Sequence, residues 1–214
     1  MHLKRNSAGN FWPIPRKGTK YVAVATHNKK NAIPLIIVMR DVLKIVKNKK
    51  ELKILLNENK VLINNKKIRE INYPIEIFDV LSLSDGRNYK AIVSKNKKIF
   101  FEEIKESEAH YKIYKILDKI LLKKGIIQLK LNQGRNILYN KKANVGDSVI
   151  IDLKENKIKE VIPLEKGREA FVIKGKHAGV KGKIQEIIHR GGKDLAKIGD
   201  KEKINVWIKN IIVK

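Results

Sequence analysis

A surplus of 26 positive charges constrains this sequence more than any motif in it, with 48 lysines and arginines against 22 acids in 214 residues. A compact state carrying that charge repels itself, so a polyanion is expected to match it. Nucleic acid fits, because each phosphate that a lysine neutralises releases a condensed counterion. An anionic membrane would also fit, but it requires an apolar anchor or a concentrated amphipathic helix. The longest apolar run, Ala32 to Met39, is interrupted by Pro34 and falls far short of the ~20 residues of a membrane helix. No apolar stretch follows the first charges, so no secretory signal is read there. Cysteine is absent, which removes disulfides and thiolate metal sites. Hydrophobic residues make up 43% of the chain, enough for a real core, and the length suits one larger domain or two to three small ones.

The charge is unevenly spread. The first forty residues hold Lys4, Arg5, Arg16, Lys17, Lys20, Lys29, Lys30 and Arg40, and no acid. Phe11, Trp12 and Tyr21, with Pro13 and Pro15, favour an extended arm over residues 1–31. Its rings either stack on unpaired bases or pack on the body, and Trp12 stands between the two readings. Lys4, Arg5, Trp12, Arg16, Lys17 and Lys20 are the arm's candidate RNA contacts.

From Pro34, Leu35, Ile36, Met39, Leu43 and Val46 recur at helical spacing, and Pro34 suits a helix start. Asn48 reads as the cap of a second helix carrying Leu52, Leu55 and Leu56. Val61 to Ile68 then reads as strand, turn and strand, and Ile75, Ile77, Val80 and Leu81 continue the extended pattern toward the turn at Asp85-Gly86. Residues Arg40 to Leu81 resemble the small helix-pair RNA-binding module shared by ribosomal proteins, some tRNA synthetases and RNA pseudouridine synthases. Arg40-Asp41, Asn48-Lys49, Lys53, Leu55-Leu56, Val61 to Asn64 and Asp79 carry the resemblance. Asn59 and Asn65 stand where that family uses Gly at positive φ, and Asn is the residue that best tolerates that region after Gly. The resemblance implies that Arg40, Lys49, Lys50, Lys53, Lys66 and Lys67 face RNA.

Residues 88–162 read mostly as strands, with hairpins at Ala91–Val93/Ile99–Phe101 and at Val149–Leu153/Ile158–Ile162, and a short helix near Glu106. Glu102, Glu103, Glu106 and Glu108 sit beside lysines with no partnering histidines and read as solvated surface. Pro163 and Gly167 then punctuate the chain. Arg168 to Ile184 runs strand, Gly-rich turn, strand, with lysines placed between Gly175, Gly179 and Gly182. This stretch resembles the KOW motif, found in ribosomal proteins and transcription elongation factors within a small SH3-like barrel. It implies contacts through Lys174, Lys176, His177, Lys181 and Lys183.

The succession of HLKR, FWPIPRKGTKY, IPLIIVMRD, helix pair, middle sheet and terminal KOW stretch resembles the archaeal and eukaryotic ribosomal protein S4e family nearly end to end. Relative to that family the chain is short by a few basic residues at its start and by some tail. The implied fold is a multi-domain α+β chain: an arm (1–31), a helix-pair module (32–87), a central β-sheet or barrel (88–162) and an SH3-like KOW barrel (163–214). The implied role is structural, with small-subunit ribosomal RNA and neighbouring small-subunit proteins as partners. No membrane, small-molecule substrate, cofactor or metal is expected. A pseudouridine synthase is the rival enzyme, but Asp118, Asp147, Asp152, Asp194 and Asp200 lie beside lysines or in turns without catalytic context. His2, His27, His110, His177 and His189 are dispersed and show no metal spacing. A KOW-type transcription factor accounts for the C-terminus but not for the arm or the helix pair.

Overall fold

The computed structural model describes residues 2–199 and 204–214, so Asp200 lies outside the described residues. Two compact units divide the chain between His110 and Tyr111. Both are mostly β, with few helical residues, so the α+β expectation overstated the helical share.

In the first unit, β1 (Leu3–Lys4) pairs with β2 (Tyr21–Val22) and closes the N-terminal segment into a loop. β3 (Ile33–Pro34) leads into α1 (Leu35–Ile37), whose continuation widens into a π turn over Val38–Val42. The Leu43 N–H donates to the Val38 carbonyl at 2.9 Å, and Lys44 turns the chain out at φ 55°. The helix is therefore shorter than its apolar spacing predicts. The β-branched run Ile36, Ile37, Val38 weakens the regular helix, and residues 32–39 are buried on every side rather than along one stripe.

α2 (Lys49–Asn57) begins where Asn48 predicts: its side chain accepts from the Glu51 N–H at 3.0 Å. Leu52 and Leu56 face the core, and Leu55 is half-buried. β4 (Val61–Ile63) and β5 (Lys66–Lys67) form a hairpin through Asn64 and Asn65, at φ 51° and 62°. Two consecutive left-handed residues suit the twist of a tight hairpin. Asn59, at φ 54°, also takes the positive φ expected of it. β6 (Pro74–Ile75) pairs with β3. β7 (Val80–Leu83), β8 (Asn88–Val93) and β9 (Ile99–Ile104) complete a sheet of order β5-β4-β7-β8-β9. The strands that open the expected central region thus hydrogen-bond onto the sheet of the first unit, where Ala91, Val93 and Ile99 are buried. α3 (Glu106–Ala109) is a single turn.

The second unit holds two antiparallel sheets. β10 (Tyr111–Leu121), β11 (Ile127–Leu131), β12 (Asn136–Leu138), β13 (Ser148–Asp152) and β14 (Ile158–Ile162) take the order β12-β11-β10-β13-β14. β10 pairs with β13 over its first half and with β11 over its second, with a bulge between Ile116 and Asp118. β15 (Glu169–Val172), β16 (Lys181–Arg190), β17 (Lys193–Ile198), β18 (Ile204–Trp207) and β19 (Ile211–Val213) take the order β18-β17-β16-β15-β19. Ala170, Val172, Ile184, Ala196, Ile198 and Val213 make the core of this second sheet. The Ser148 hydroxyl accepts from the Val213 N–H at 2.9 Å, and Asp147 accepts from the Asn144 and Leu164 N–H groups, each at 2.9 Å. Buried polar groups thus join the two sheets.

Candidate nucleic-acid interface

Lys60 of the helix-pair segment pairs with Glu58 at 2.7 Å, but five other lysines of the segment have no acidic partner among the described residues. Lys49, Lys50 and Lys53 are exposed on α2, and Lys66 and Lys67 are exposed on the edge strand β5. Glu51 is the one acid of α2, and it turns back on the helix start: its carboxylate accepts from the Lys47 N–H at 2.7 Å and from the Asn48 amide at 3.2 Å. That geometry fixes the residues at and before the cap, while the Asn48 side chain takes the Glu51 N–H of the first turn, and among the described residues it leaves the neighbouring ammonium groups without an acid. Lysines in a first helical turn also oppose the helix dipole, so the arrangement favours an incoming anion. Arg40 differs, since Asp41 pairs with it at 2.8 Å and raises its pKa, chiefly through their hydrogen bond. The hairpin itself is held by Asp79, buried beneath it, which accepts from the Asn64 amide and from the Glu76 N–H, both at 2.6 Å.

The N-terminal segment differs from the extended arm of the sequence reading. Trp12 is 2% exposed, so its ring packs within the first unit and offers no face to a base; stacking by Trp12 is corrected on that ground. Phe11 meets it edge-on, the Phe11 carbonyl accepts from the Ile99 N–H at 2.9 Å, and the Lys98 ammonium donates to the Trp12 carbonyl at 3.1 Å. Arg5 is also internally committed: its guanidinium donates to the Thr19 carbonyl at 2.8 Å, the Thr19 hydroxyl at 2.8 Å and the Pro15 carbonyl at 2.9 Å. It closes the loop rather than reaching outward. Lys4, Arg16, Lys17 and Lys20 remain exposed. A cavity of about 450 Å³ is lined by Arg5, Arg16, Lys98, Asn6, Asn10 and Trp12, with no acid among its lining residues, and the Trp12 indole N–H is buried without a partner.

In the second unit, the turn between β15 and β16 runs through Gly175 at φ 96° and Gly179 at φ 89°. The Gly179 N–H donates to the Val172 carbonyl at 2.8 Å and folds the turn back on its own strand. Lys174 and Lys176 are exposed on this turn and His177 is half-buried, while Lys181 and Lys183 share one face of β16. Gly182, between them, lies against the backbone of Gly199; a Cβ there would sit 3.0 Å from the Gly199 Cα. Two lysines the sequence reading passed over, Lys112 and Lys115, are 1% and 3% exposed. No period-2 alternation in YKIYKI marks them as inward-facing. Among the described residues no cluster of His, Asp or Glu is able to hold a metal ion, and no helix is long and apolar enough to cross a membrane.

A family model described as ribosomal family S4e matches residues 85–158. The chain is 35% identical over 192 residues to the small ribosomal subunit protein eS4 of Nanoarchaeum equitans, covering 87% of this chain and 82% of that one. It is 38% identical over 194 residues to the eS4 protein of Methanospirillum hungatei, covering 87% and 80%. Its fold is similar to the crystal structure of the 30S ribosomal protein S4e from Thermoplasma acidophilum, with a TM-score of 0.75 at 23% identity, over 86% of this chain and 95% of that one.

Proposed function

Because this chain belongs to the ribosomal S4e family, we propose that it binds folded small-subunit ribosomal RNA through separate basic faces and abuts neighbouring small-subunit proteins. As a member of that family it is a structural constituent of the small ribosomal subunit and not an enzyme. Residues 32–87 act as the helix-pair RNA-binding module, with Lys49, Lys50, Lys53, Lys66 and Lys67 on phosphates and Arg40 beside them. Residues 163–214 act as a KOW module, with Lys174, Lys176, His177, Lys181 and Lys183 as its contacts. Residues 1–31 contribute Lys4, Arg16, Lys17 and Lys20, and their acid-free cavity receives a phosphodiester. Residues 88–162 connect these faces, and the assembled particle is cytoplasmic.

The observation that carries this reading is the position of Glu51. The one acid of α2 is turned to the helix start, where its carboxylate takes the Lys47 N–H and the Asn48 side-chain amide. Residues two apart on a helix do not face each other, so it neutralises neither Lys49 nor Lys53. A protein stable on its own would gain by pairing them, whereas one completed by phosphate needs them bare. Replacing Lys49, Lys50 and Lys53 together by Glu tests it. Binding to a small-subunit rRNA fragment should weaken, and the slope of log K against log salt should become shallower by roughly two to three. An unchanged affinity and slope would take α2 out of the RNA face.

A further inference from the structure

β9 is the last strand of the sheet in the first unit, and β8 pairs with only one side of it. In an antiparallel ladder, residues turned toward the neighbouring strand alternate with residues turned away. Ala91 of β8 gives its N–H to the Asp79 carbonyl at 2.9 Å, on the side away from β9. Phe101, opposite Ala91, and Glu103, opposite Tyr89, therefore point their N–H and C=O groups outward from the sheet edge. Two residues before Phe101, the Ile99 N–H points the same way and is taken by the Phe11 carbonyl at 2.9 Å. The N-terminal segment thus begins to pair with this edge and then leaves it, since the Trp12 N–H turns back to the Gly9 carbonyl. The outward backbone groups of Phe101 and Glu103 have no partner among the described residues. Phe100, 40% exposed, shares one face of the strand with Glu102.

The charge along this open edge is the reverse of the molecule's. Glu102 and Glu103 of β9, and Glu106 and Glu108 of α3, are all exposed. None of their carboxylates has an ion pair or hydrogen bond among the described residues. An RNA strand fits poorly, because its phosphates offer acceptors alone and meet four carboxylates. A second copy of β9 fits no better, since pairing like with like sets the same acids against each other. Exposed edges are commonly guarded by charged side chains, lysine above all. In a chain with 48 lysines and arginines, glutamate at the edge guards against nothing basic and attracts it. An extended cationic peptide matches both features, the alternating backbone groups and the acids beside them.

We infer that β9 receives an extended, lysine- or arginine-rich segment of a neighbouring small-subunit protein as an added strand, which pairs with the backbone of Phe101 and Glu103 and lays its cations along the four glutamates. Phe100 gives its ring to the aliphatic stems of those basic side chains. This contact rests on the reading that the chain abuts neighbouring small-subunit proteins, and it gives that reading a place and a chemistry apart from the RNA faces.

The test uses the full-length chain and two short peptides of equal length and charge, one alternating lysine with valine and the other lysine with glycine. The valine peptide, which favours a strand, should bind the more tightly. Glu103→Pro removes an outward N–H that β8 does not use, so the ladder stands. It should lose on the order of tenfold in affinity for the valine peptide and keep its binding to an rRNA fragment. Glu103→Gln, which keeps the N–H, should lose less. Equal affinity for the two peptides, or equal losses in the two variants, would reduce the edge to a patch of charge and overturn the strand addition. Should the proline unfold the chain, the comparison of the two peptides on the wild type decides. In assembled small subunits, a photo-crosslinking residue at position 102 should join a lysine- or arginine-rich stretch of another subunit protein. A link to rRNA alone, or to a second copy of this chain, would contradict the inference. Weak peptide binding with rRNA binding intact would strike the edge alone, whereas failure of the wild type to bind the rRNA fragment would overturn the proposed function itself.

Discussion

Lys112 and Lys115 take their charge into the interior while most lysines of this chain hold theirs in solvent. Lys112 lies over the Tyr114 ring at 4.6 Å and is bonded to the Gln133 side chain. Among the described residues the Lys115 ammonium meets the Ile208 and Ile211 carbonyls, and desolvation lowers its pKa from 10.5 to about 8. In the unfolded chain it returns to ~10.4. Below about pH 8 both states hold the proton and the cost of burying the charge stands in full. Between that point and the unfolded value, the folded protein releases the proton while the unfolded chain keeps it. The residue's contribution to stability therefore rises with pH across this window, by up to about 3 kcal/mol. Urea unfolding of the wild type and Lys115→Met from pH 7 to 10.5 should show the difference moving steadily in favour of the wild type above pH 8. A difference independent of pH would mean that the folded ammonium keeps its hydration.

At the scale of elements, the short polar motifs did more to place the chain than its hydrophobic spacing did. Asn48 caps α2 through the Glu51 N–H, and replacing it by Ala should cost about 1 kcal/mol in chemical denaturation. No loss would mean that water satisfies the Glu51 N–H as well as the Asn48 side chain does. Asn59 and Asn65 announced positive φ because few other residues with a Cβ occupy it readily. The strand pairs around residues 91–101 and 149–162 were equally legible, since tight turns and apolar alternation agree there. The first helix was misjudged in length, because residues buried on all sides carry no stripe to measure. Which sheet β8 and β9 join was not legible either: strand pairing is non-local, and a hairpin reads the same whichever neighbour it meets. The candidate site divides in the same way. Exposed lysines beside turns could be picked out, but Trp12 could not be assigned, because an aromatic among prolines is as suited to a core as to a base. The contact of Lys115 with the Ile211 carbonyl depends on β19 returning beside β15, and no local pattern carries that.

For the whole molecule, charge and fold make one account. A core of Ile, Leu and Val builds two mostly β units, and a surplus of 26 positive charges is left on them. The N-terminal segment belongs to this body more than an arm would: Trp12 and Ala25 are buried, and the Phe11 carbonyl takes a hydrogen bond from β9. Its exposed lysines are thus presented from a folded surface, with less chain entropy to lose when RNA is bound than a free tail would have. A protein built this way is completed by its particle. The most direct test of that claim is to sediment a tagged copy from cell lysate on a gradient at low and at high salt. The account predicts co-migration with the small ribosomal subunit that persists through moderate salt. A free, light position at both salt concentrations, or movement with RNA polymerase, would contradict it.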